Sequence, residues 1–234
     1  MNPTQNPGRV AGLWYLLLTI LGPIRLIYIP SKLFVPGDAA ATAGNIAAHE
    51  TLFRFGIVSE PLCALVLIFL VLAFYRLFEG VDRKLAVLVI LFGGVMPGVI
   101  DFYNATSDLG ALTAVHGANF LSVFSRAQQE ALALLFLRLS DHSNTAAELL
   151  WGVWLFPLGL LVYKSRFLPR FLGGWLIMNG FGYVIVSFTG IFAPQYQVKV
   201  FNWSSPVLFG ELALMLWLLT KGAKPPALAA ATVS

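Results

Sequence analysis

Ionisable residues stand inside a chain that is otherwise strongly apolar, and these residues are the ones whose types could do chemistry. Four acids, Glu60, Asp101, Glu148 and Glu211, and one base, Arg25, lie within or beside long apolar segments. An ionised group in the middle of a membrane is costly, so each one needs a partner, a water-filled cavity or a function. We predict that the four acids line one outer-facing polar pocket that binds or transports a small molecule or an ion, with Arg25 as a further ligand-binding residue.

A structural interpretation of the same residues stays open. The acids would then pair with Arg25 and Arg54 or sit near the ends of spans, because Glu60, Glu148 and Glu211 each lie within about two turns of a predicted outer end. In that case the charged groups hold helices in register. The protein would be a non-catalytic membrane partner or sensor subunit.

A metal-dependent intramembrane hydrolase that uses His116 and Asp101 is the third alternative. The three histidines, His49, His116 and His142, fall in segments predicted on the outer side. The sequence contains no H-E-x-x-H, H-x-x-x-H or C-x-x-C pattern for a metal and no G-x-S-x-G for a nucleophile. We therefore expect no metal and no cofactor, and we favour a non-enzymatic role.

The composition indicates a protein that is solvated by lipid. Hydrophobic residues make up 58% of the 234 residues and charged residues only 11%, whereas a soluble domain carries charge on about a quarter of its positions. The net charge is +4, but the cations are scattered over short gaps and form no basic face, so we expect no nucleic-acid partner. The single cysteine, Cys63, excludes an intramolecular disulfide.

The apolar segments predict an all-α, polytopic transmembrane helical bundle with the lipid bilayer as its partner. A span needs roughly 20 mainly apolar residues, and six segments qualify. They are residues 10–30, 53–78, 84–106, 144–165, 171–192 and 205–220. A helix over 125–140, with Ser125 as its N-cap, is predicted to lie half-inserted or on the surface, and it would be a seventh span if it crosses. Lys and Arg are more numerous on the side that holds both termini, which predicts a protein of the cytoplasmic (inner) membrane with both termini on the cytoplasmic side.

The chain divides into few parts by composition. We predict one helical domain over residues 1–220 and a disordered C-terminal tail over 221–234. In the loop 31–52 a turn at Pro36-Gly37-Asp38 precedes a short helix, which is either a lid over the outer mouth or a connector. Glycine-rich stretches at 91–98 and 172–182 lie in apolar segments and predict close helix packing.

The stretch GVWLFPLGLLVYKSRFLPRFLGGWL at 152–176 carries both a topology signal and a resemblance. Three cations without an acid interrupt two apolar runs, and Pro169 prevents a continuous helix, so KSRFLPR is predicted to be an inner hairpin. The stretch resembles the signature G-x-W-L-x-P-L-G-x-L-V-Y-x-S-x-x-L-P-R-x-L-G of a bacterial multi-pass membrane family, domain of unknown function 4386. That resemblance implies a multi-pass membrane protein and carries over no catalytic residue, and the oligomeric state stays open.

Overall fold

Helices account for the secondary structure of the part of the chain that the structure, a computed structural model, describes, namely residues 6–225. No strand occurs in this part, so the all-α prediction is confirmed. Two π-helical turns, Ile24–Tyr28 and Leu91–Val95, are continuous with the α-helices on either side. The α-helices are α1 (Pro7–Pro23), α2 (Ile29–Leu33), α3 (Ala39–Ala48), α4 (Glu50–Phe78), α5 (Arg83–Ile90), α6 (Met96–His116), α7 (Arg126–Val153), α8 (Leu155–Ser165), α9 (Arg170–Phe192), α10 (Gln197–Leu208) and α11 (Gly210–Thr220).

Six helical segments of the described residues are long and apolar enough to cross a membrane, which confirms the prediction of six spans. They are Pro7–Leu33, Glu50–Phe78, Arg83–His116, Arg126–Ser165, Arg170–Phe192 and Pro194–Thr220. Large apolar side chains on these helices are exposed, as a lipid-facing surface requires. Ile27, Val99 and Met178 are each more than half exposed.

The segment 125–140 differs from its prediction, because it is neither a separate surface helix nor a seventh span. It is the first part of α7, which runs without interruption from Arg126 to Val153. Ser125 begins the helix as predicted: its hydroxyl accepts from the N–H of Gln128 and its own N–H donates to the Gln128 side chain, a capping box. The helix continues beyond the predicted end at residue 140, and its polar residues Ser140 and Asn144 have polar partners on α6.

The contacts of the described residues group the chain into two compact units. Unit 1 contains the residues up to Thr19, Leu65–Gly98 and the residues from Thr145 onward. Unit 2 contains Ile20–Ala64 and Val99–Asn144. Each unit has its own apolar core. The prediction of a single domain over residues 1–220 stays a prediction.

In unit 1, α8 and α9 form an antiparallel hairpin that is packed through glycines. A Cβ atom on Gly159 would lie 2.8 Å from the carbonyl oxygen of Gly173, and one on Gly173 would lie 2.6 Å from that of Gly159. Gly152, just before α8, and Gly180 face each other in the same reciprocal way, at 2.6 and 2.8 Å. The glycines of each helix are seven residues apart, two turns, so both pairs lie along one line of contact.

The ends of this hairpin follow from its prolines and charges. Pro157 has no N–H to donate to the carbonyl of Val153, and the helix is interrupted there, between α7 and α8. The KSRFLPR turn then separates α8 from α9, as predicted, with Arg166 in the left-handed region at φ 61°. The Lys164 ammonium donates to Asp82 across 3.0 Å, which fixes the turn to the start of α5.

The residues after α11 pack against the start of α1. The N–H of Gly8 donates to the carbonyl of Ala223 over 3.0 Å, and the N–H of Ala223 donates to Asn6 Oδ1 over 3.0 Å. Ala223 is buried. The tail predicted over 221–234 therefore begins with ordered contacts, and its residues 226–234 lie outside the described residues.

In unit 2, Asp38 caps the short helix α3 by accepting from the N–H of Ala41 at 2.8 Å, which confirms the turn and helix predicted in the loop 31–52.

Also in unit 2, α6 and α7 pack as an antiparallel pair with a fixed register. Along α6 and α7, contacts join Asn104 to Asn144, Asp108 to Ser140, Ser107 to Phe136 and Gly110 to Phe136. Each step along α6 is matched by a step back along α7, so the two helices run side by side over about two turns.

Candidate functional site

The five predicted site residues fall into two groups, one in each unit. Arg25, Glu60 and Asp101 come together in unit 2, and Glu148 and Glu211 belong to unit 1. The single pocket that would contain all four acids stays a prediction.

In unit 2 one guanidinium serves two carboxylates. Arg25 Nη1 donates to Glu60 Oε2 and lies 3.5 Å from Asp101 Oδ1. All three residues are buried, with 9%, 4% and 5% of their surface exposed. This group, Arg25 with Glu60 and Asp101, is called the acid pair site below. With both carboxylates ionised it carries one negative charge more than its arginine neutralises.

A π-helical turn places Arg25. The N–H of Ile29 donates to the carbonyl of Ile24, five residues back, where an α-helix would use four. Pro30 follows directly, lacks an N–H and crowds the carbonyl four residues before it, which favours the wider turn. Such π-helical turns occur frequently at functional sites.

Close packing of α4 against the segment that carries Arg25 also helps to form the acid pair site. A Cβ atom on Gly56 of α4 would lie 3.3 Å from Ile29 Cδ1, so a larger residue there would crowd the Ile29 side chain. One turn later on α4 stands Glu60. The glycine thus lets α4 approach the segment that carries Arg25.

One face of α6 continues the polar surface of the acid pair site. Asp101, Asn104 and Asp108 are spaced i, i+3 and i+7, which places them on the same side of the helix. Asn104 Nδ2 donates to Asn144 Oδ1 over 2.9 Å, and the Asn104 amide also contacts Glu60. The Ser140 hydroxyl bonds to Asp108. We call the polar contacts between α6 and α7, namely Asn104 with Asn144 and Asp108 with Ser140, the α6–α7 seam.

Three buried polar atoms of this region lack a hydrogen-bond partner among residues 6–225. They are Nε of Arg25, Oδ2 of Asp101 and Oδ1 of Asn104. Native proteins pair nearly all such atoms, so each unpaired one needs an explanation. Asp101 and Asn104 present these two acceptor oxygens from one face of α6. Each oxygen would be satisfied by a hydrogen-bond donor or by a cation.

The depth of these groups can be estimated from their helices. At about 1.5 Å per residue, Asp101 lies within about 2 Å of the middle of the span Arg83–His116, and Asp108 lies about 13 Å from it. The hydrocarbon core of a bilayer is about 30 Å thick, so Asp101 lies near its middle and Asp108 near its edge. Asp101 is buried and Asp108 is half-buried, so exposure increases in the same direction.

In unit 1 Glu211 is surrounded by neutral donors. The Tyr15 hydroxyl donates to Glu211 Oε1, and the side chains of Tyr183 and Asn179 bond to the same carboxyl group. Glu148 also interacts electrostatically with Tyr183, so both acids of this group lie near one tyrosine. The fully buried Asn179 also donates to the carbonyl of Leu208 over 3.3 Å.

The residues of the hydrolase alternative are not brought together. His116 Nε2 lies 3.3 Å from Glu50 Oε2, whereas Asp101 contacts Arg25. His116 and Asp101 lie on the same helix, α6, at a separation of roughly 22 Å, which is too far for one metal ion. Within residues 6–225 no group of three or more His, Cys, Asp or Glu side chains could hold a metal.

Several residues of these sites were not among the predicted site residues. Asp108, Ser140 and Asn144 join the acid pair site to α7, and Tyr15 and Tyr183 hold Glu211. The spacing of Asp101, Asn104 and Asp108 on one helix face was a signal for Asp108 alone. The tyrosines gave no signal, because an aromatic residue in an apolar span is also a common lipid-facing or core residue.

The six spans and the buried charges define a multi-pass helical membrane protein that holds ionisable groups within its span. The chain belongs to the family described as Domain of unknown function (DUF4386), whose model matches residues 10–222. It is also similar to an uncharacterized protein of Archaeoglobus fulgidus, with 36% identity over 77 residues. That match covers 32% of this chain and 43% of the relative, so it spans less than half of the relative's length. No solved structure gives a significant match.

Proposed function

We propose that this protein is a membrane module that binds, and in its membrane transports, a small hard cation at the acid pair site. The observation that carries the proposal is the charge of that site. Two buried carboxylates, Glu60 and Asp101, share the single guanidinium of Arg25. A buried charge without compensation is strongly unfavourable, so one more positive charge is needed there.

The chemistry of the unpaired atoms restricts the ligand. Oδ2 of Asp101 and Oδ1 of Asn104 are a carboxylate and an amide oxygen, the ligand types that hard cations prefer. A proton on Asp101 would also supply a donor to Asn104. Sodium and the proton share this chemistry, and the experiment below separates them.

The access side is proposed to be the outer one. Arg25 lies in the half of its span that ends at Leu33, and Glu60 lies in the half of its span that begins at Glu50. Asp108 lies in the half of its span that ends at His116. Because successive spans alternate in direction, these three ends lie on one side. The Lys and Arg bias assigns this side to the outside of the cytoplasmic membrane.

Cation-dependent stability in lipid nanodiscs tests the proposal. A ligand that binds the folded state raises the free energy of unfolding, by about 2.7 kcal/mol at a hundredfold excess over Kd. We expect this gain with added NaCl and not with choline chloride if sodium binds, or with falling pH if the proton binds. Asp101→Asn and Glu60→Gln should each abolish the gain and still fold, because each leaves one neutral ion pair with Arg25.

The matched control is Asp141→Asn, which removes an exposed carboxylate of α7 and should leave the gain unchanged. A wild-type protein with neither sodium- nor pH-dependent stability would overturn the proposal. The ion pair between Arg25 and Glu60, which joins two helices, would then favour the membrane partner or sensor subunit.

A further inference from the structure

The α6–α7 seam joins the acid pair site to a second carboxyl group at a different depth. Asp108 lies two turns from Asp101 on the same face of α6, about 10 Å along the helix axis. Between them stands Asn104, which is fully buried and bonded to Asn144 of the facing helix. Beside Asp108 stands Ser140, one turn from Asn144 on α7.

The seam is polar where a transmembrane helix pair would ordinarily be apolar. On α6 the buried positions beyond Asp108 are apolar, including Ala111, Leu112 and Val115. The polar side chains are therefore confined to the stretch between the mid-membrane carboxylate and the half-buried one. Oδ1 of Asn104 is buried there without a partner among residues 6–225, so an acceptor is available midway.

We infer that Asp108 is the outer carboxyl of an access route, along which the cation reaches Asp101 by way of Ser140, Asn104 and Asn144. This inference rests on the proposed function and adds the route. Along the route, oxygen atoms of α6 and α7 take the place of the water that would solvate the cation. The carboxylates of Asp108 and Asp101 attract the cation at the two ends of the route. The charged and titratable groups that face the route are Arg25, Glu60, Cys63, Asp101 and Asp108.

The rate of cation binding tests the route separately from its affinity. Stopped-flow tryptophan fluorescence of the protein in nanodiscs, after a jump in sodium concentration or pH, gives the rate. The titration endpoint gives the affinity. We expect Asp108→Asn to slow association at least tenfold and Asp108→Glu to restore most of the rate.

Neutral substitutions separate a route from a distant electrostatic field. Ser140→Ala and Asn144→Ala change no charge and should slow association several-fold, with affinity within twofold of the wild type. Thr106→Val is the matched control, because its hydroxyl lies on the exposed face of α6 and donates to the carbonyl of Phe102. It should bind at the wild-type rate.

The possible outcomes distinguish the route from the function. If the wild type binds a cation and Asp108→Asn, Ser140→Ala and Asn144→Ala all associate at its rate, the route is wrong and the acid pair site stands. If only Asp108→Asn slows the association of the cation, Asp108 attracts the cation from a distance through its charge alone, and the route is again wrong. If the wild type binds neither sodium nor protons, both proposals fall.

Discussion

At the scale of single residues, the main feature is the sharing of one arginine by two acids. A simple buried ion pair is neutral, and it needs no further ligand. The acid pair site has a second carboxylate, and its Oδ2 has no hydrogen-bond partner among residues 6–225. This excess charge separates a binding interpretation from a structural one, and it can be measured through stability.

Loss of Arg25 alone should lower the free energy of unfolding more than loss of Arg25 together with Glu60. Arg25→Gln leaves two buried carboxylates without a cation, and we expect a loss of about 3–5 kcal/mol in the free energy of unfolding. The double variant Arg25→Gln/Glu60→Gln should recover part of this loss, because only one carboxylate remains. Denaturant titration in detergent micelles measures all three proteins.

The control for this cycle is Arg54→Gln, which breaks an exposed, solvent-screened pair with Glu50 and should change the free energy of unfolding far less than Arg25→Gln does. Additive losses in the double variant would contradict the coupling of Arg25 to Glu60.

An exposed ion pair beside α8 gives a pH-dependent prediction. The hydrogen bond from Lys164, with support from the N–H of Leu85, lowers the pKa of the Asp82 carboxyl. Because the pKa is lower in the folded state, the pair stabilises the protein at neutral pH. That contribution disappears as the pH falls below the ordinary aspartate value of about 3.9 and through the folded pKa.

Asp82→Asn keeps a helix-capping side chain and removes only the charge. Its thermal unfolding midpoint should lie below that of the wild type at pH 7, and the difference should close at acid pH, once the pH has fallen through the folded pKa of Asp82. Glu79→Gln, a nearby acid with no ion pair among residues 6–225, should follow the wild type at both values. An equal deficit of Asp82→Asn at both pH values would show that the charge is not the cause.

At the scale of elements, the stretch 152–176, which resembles the family signature, contains residues that pack helices closely. Its Gly152 and Gly159 contact α9 from the end of α7 and from α8, where they face Gly180 and Gly173. Trp154 packs against Gly93 in the second π-helical turn. The glycines of this stretch thus allow the close approach of neighbouring helices, and the buried acids lie outside it.

Two neighbouring glycines of α9 allow a matched test. Gly173→Ala would place a methyl group against the backbone of Gly159, and we expect a loss of about 1–3 kcal/mol from overpacking. A methyl group on Gly174 would meet no atom within 4 Å, so Gly174→Ala should be neutral or stabilising by up to about 1 kcal/mol. Thermal unfolding in one detergent compares the two variants, and equal effects would contradict the packing account.

Sequence patterns predicted the spans well because lipid imposes a simple rule on each of them. The six spans, the KSRFLPR turn and the cap at Ser125 are confirmed. The continuity of α7 was missed, because Ser140 and Asn144 look like a break until their partners on α6 are known. The same limit applies to Asp101 and Glu60, since only the fold shows that one arginine serves both.

At the scale of the whole molecule, an even number of spans that alternate in direction predicts that the chain before Pro7 and after Thr220 lies on one side of the membrane. The same alternation predicts that side for the span ends that carry Arg83, Lys84 and Lys164. The positive-inside rule then predicts that this side is the cytoplasmic one. The span ends at Glu50 and His116 are predicted on the opposite side.

A reporter fused after Ser234 tests this orientation. A fluorescent protein that matures only in the cytoplasm should be bright, and alkaline phosphatase at the same position should be inactive. The matched fusion carries the same reporters in the loop between Leu33 and Glu50, where the pattern should invert. Active phosphatase after Ser234 would reverse the assignment of sides.

The depth of Asp101 also has an electrical consequence. A cation bound near the middle of the span has crossed about half of the transmembrane voltage, and a full crossing is worth about 2.3 kcal/mol per 100 mV. The dissociation constant of the acid pair site should therefore change roughly sevenfold for each 100 mV, as measured in proteoliposomes with an imposed potassium gradient. The membrane potential itself would thus set the occupancy of the acid pair site, without any conformational change of the protein.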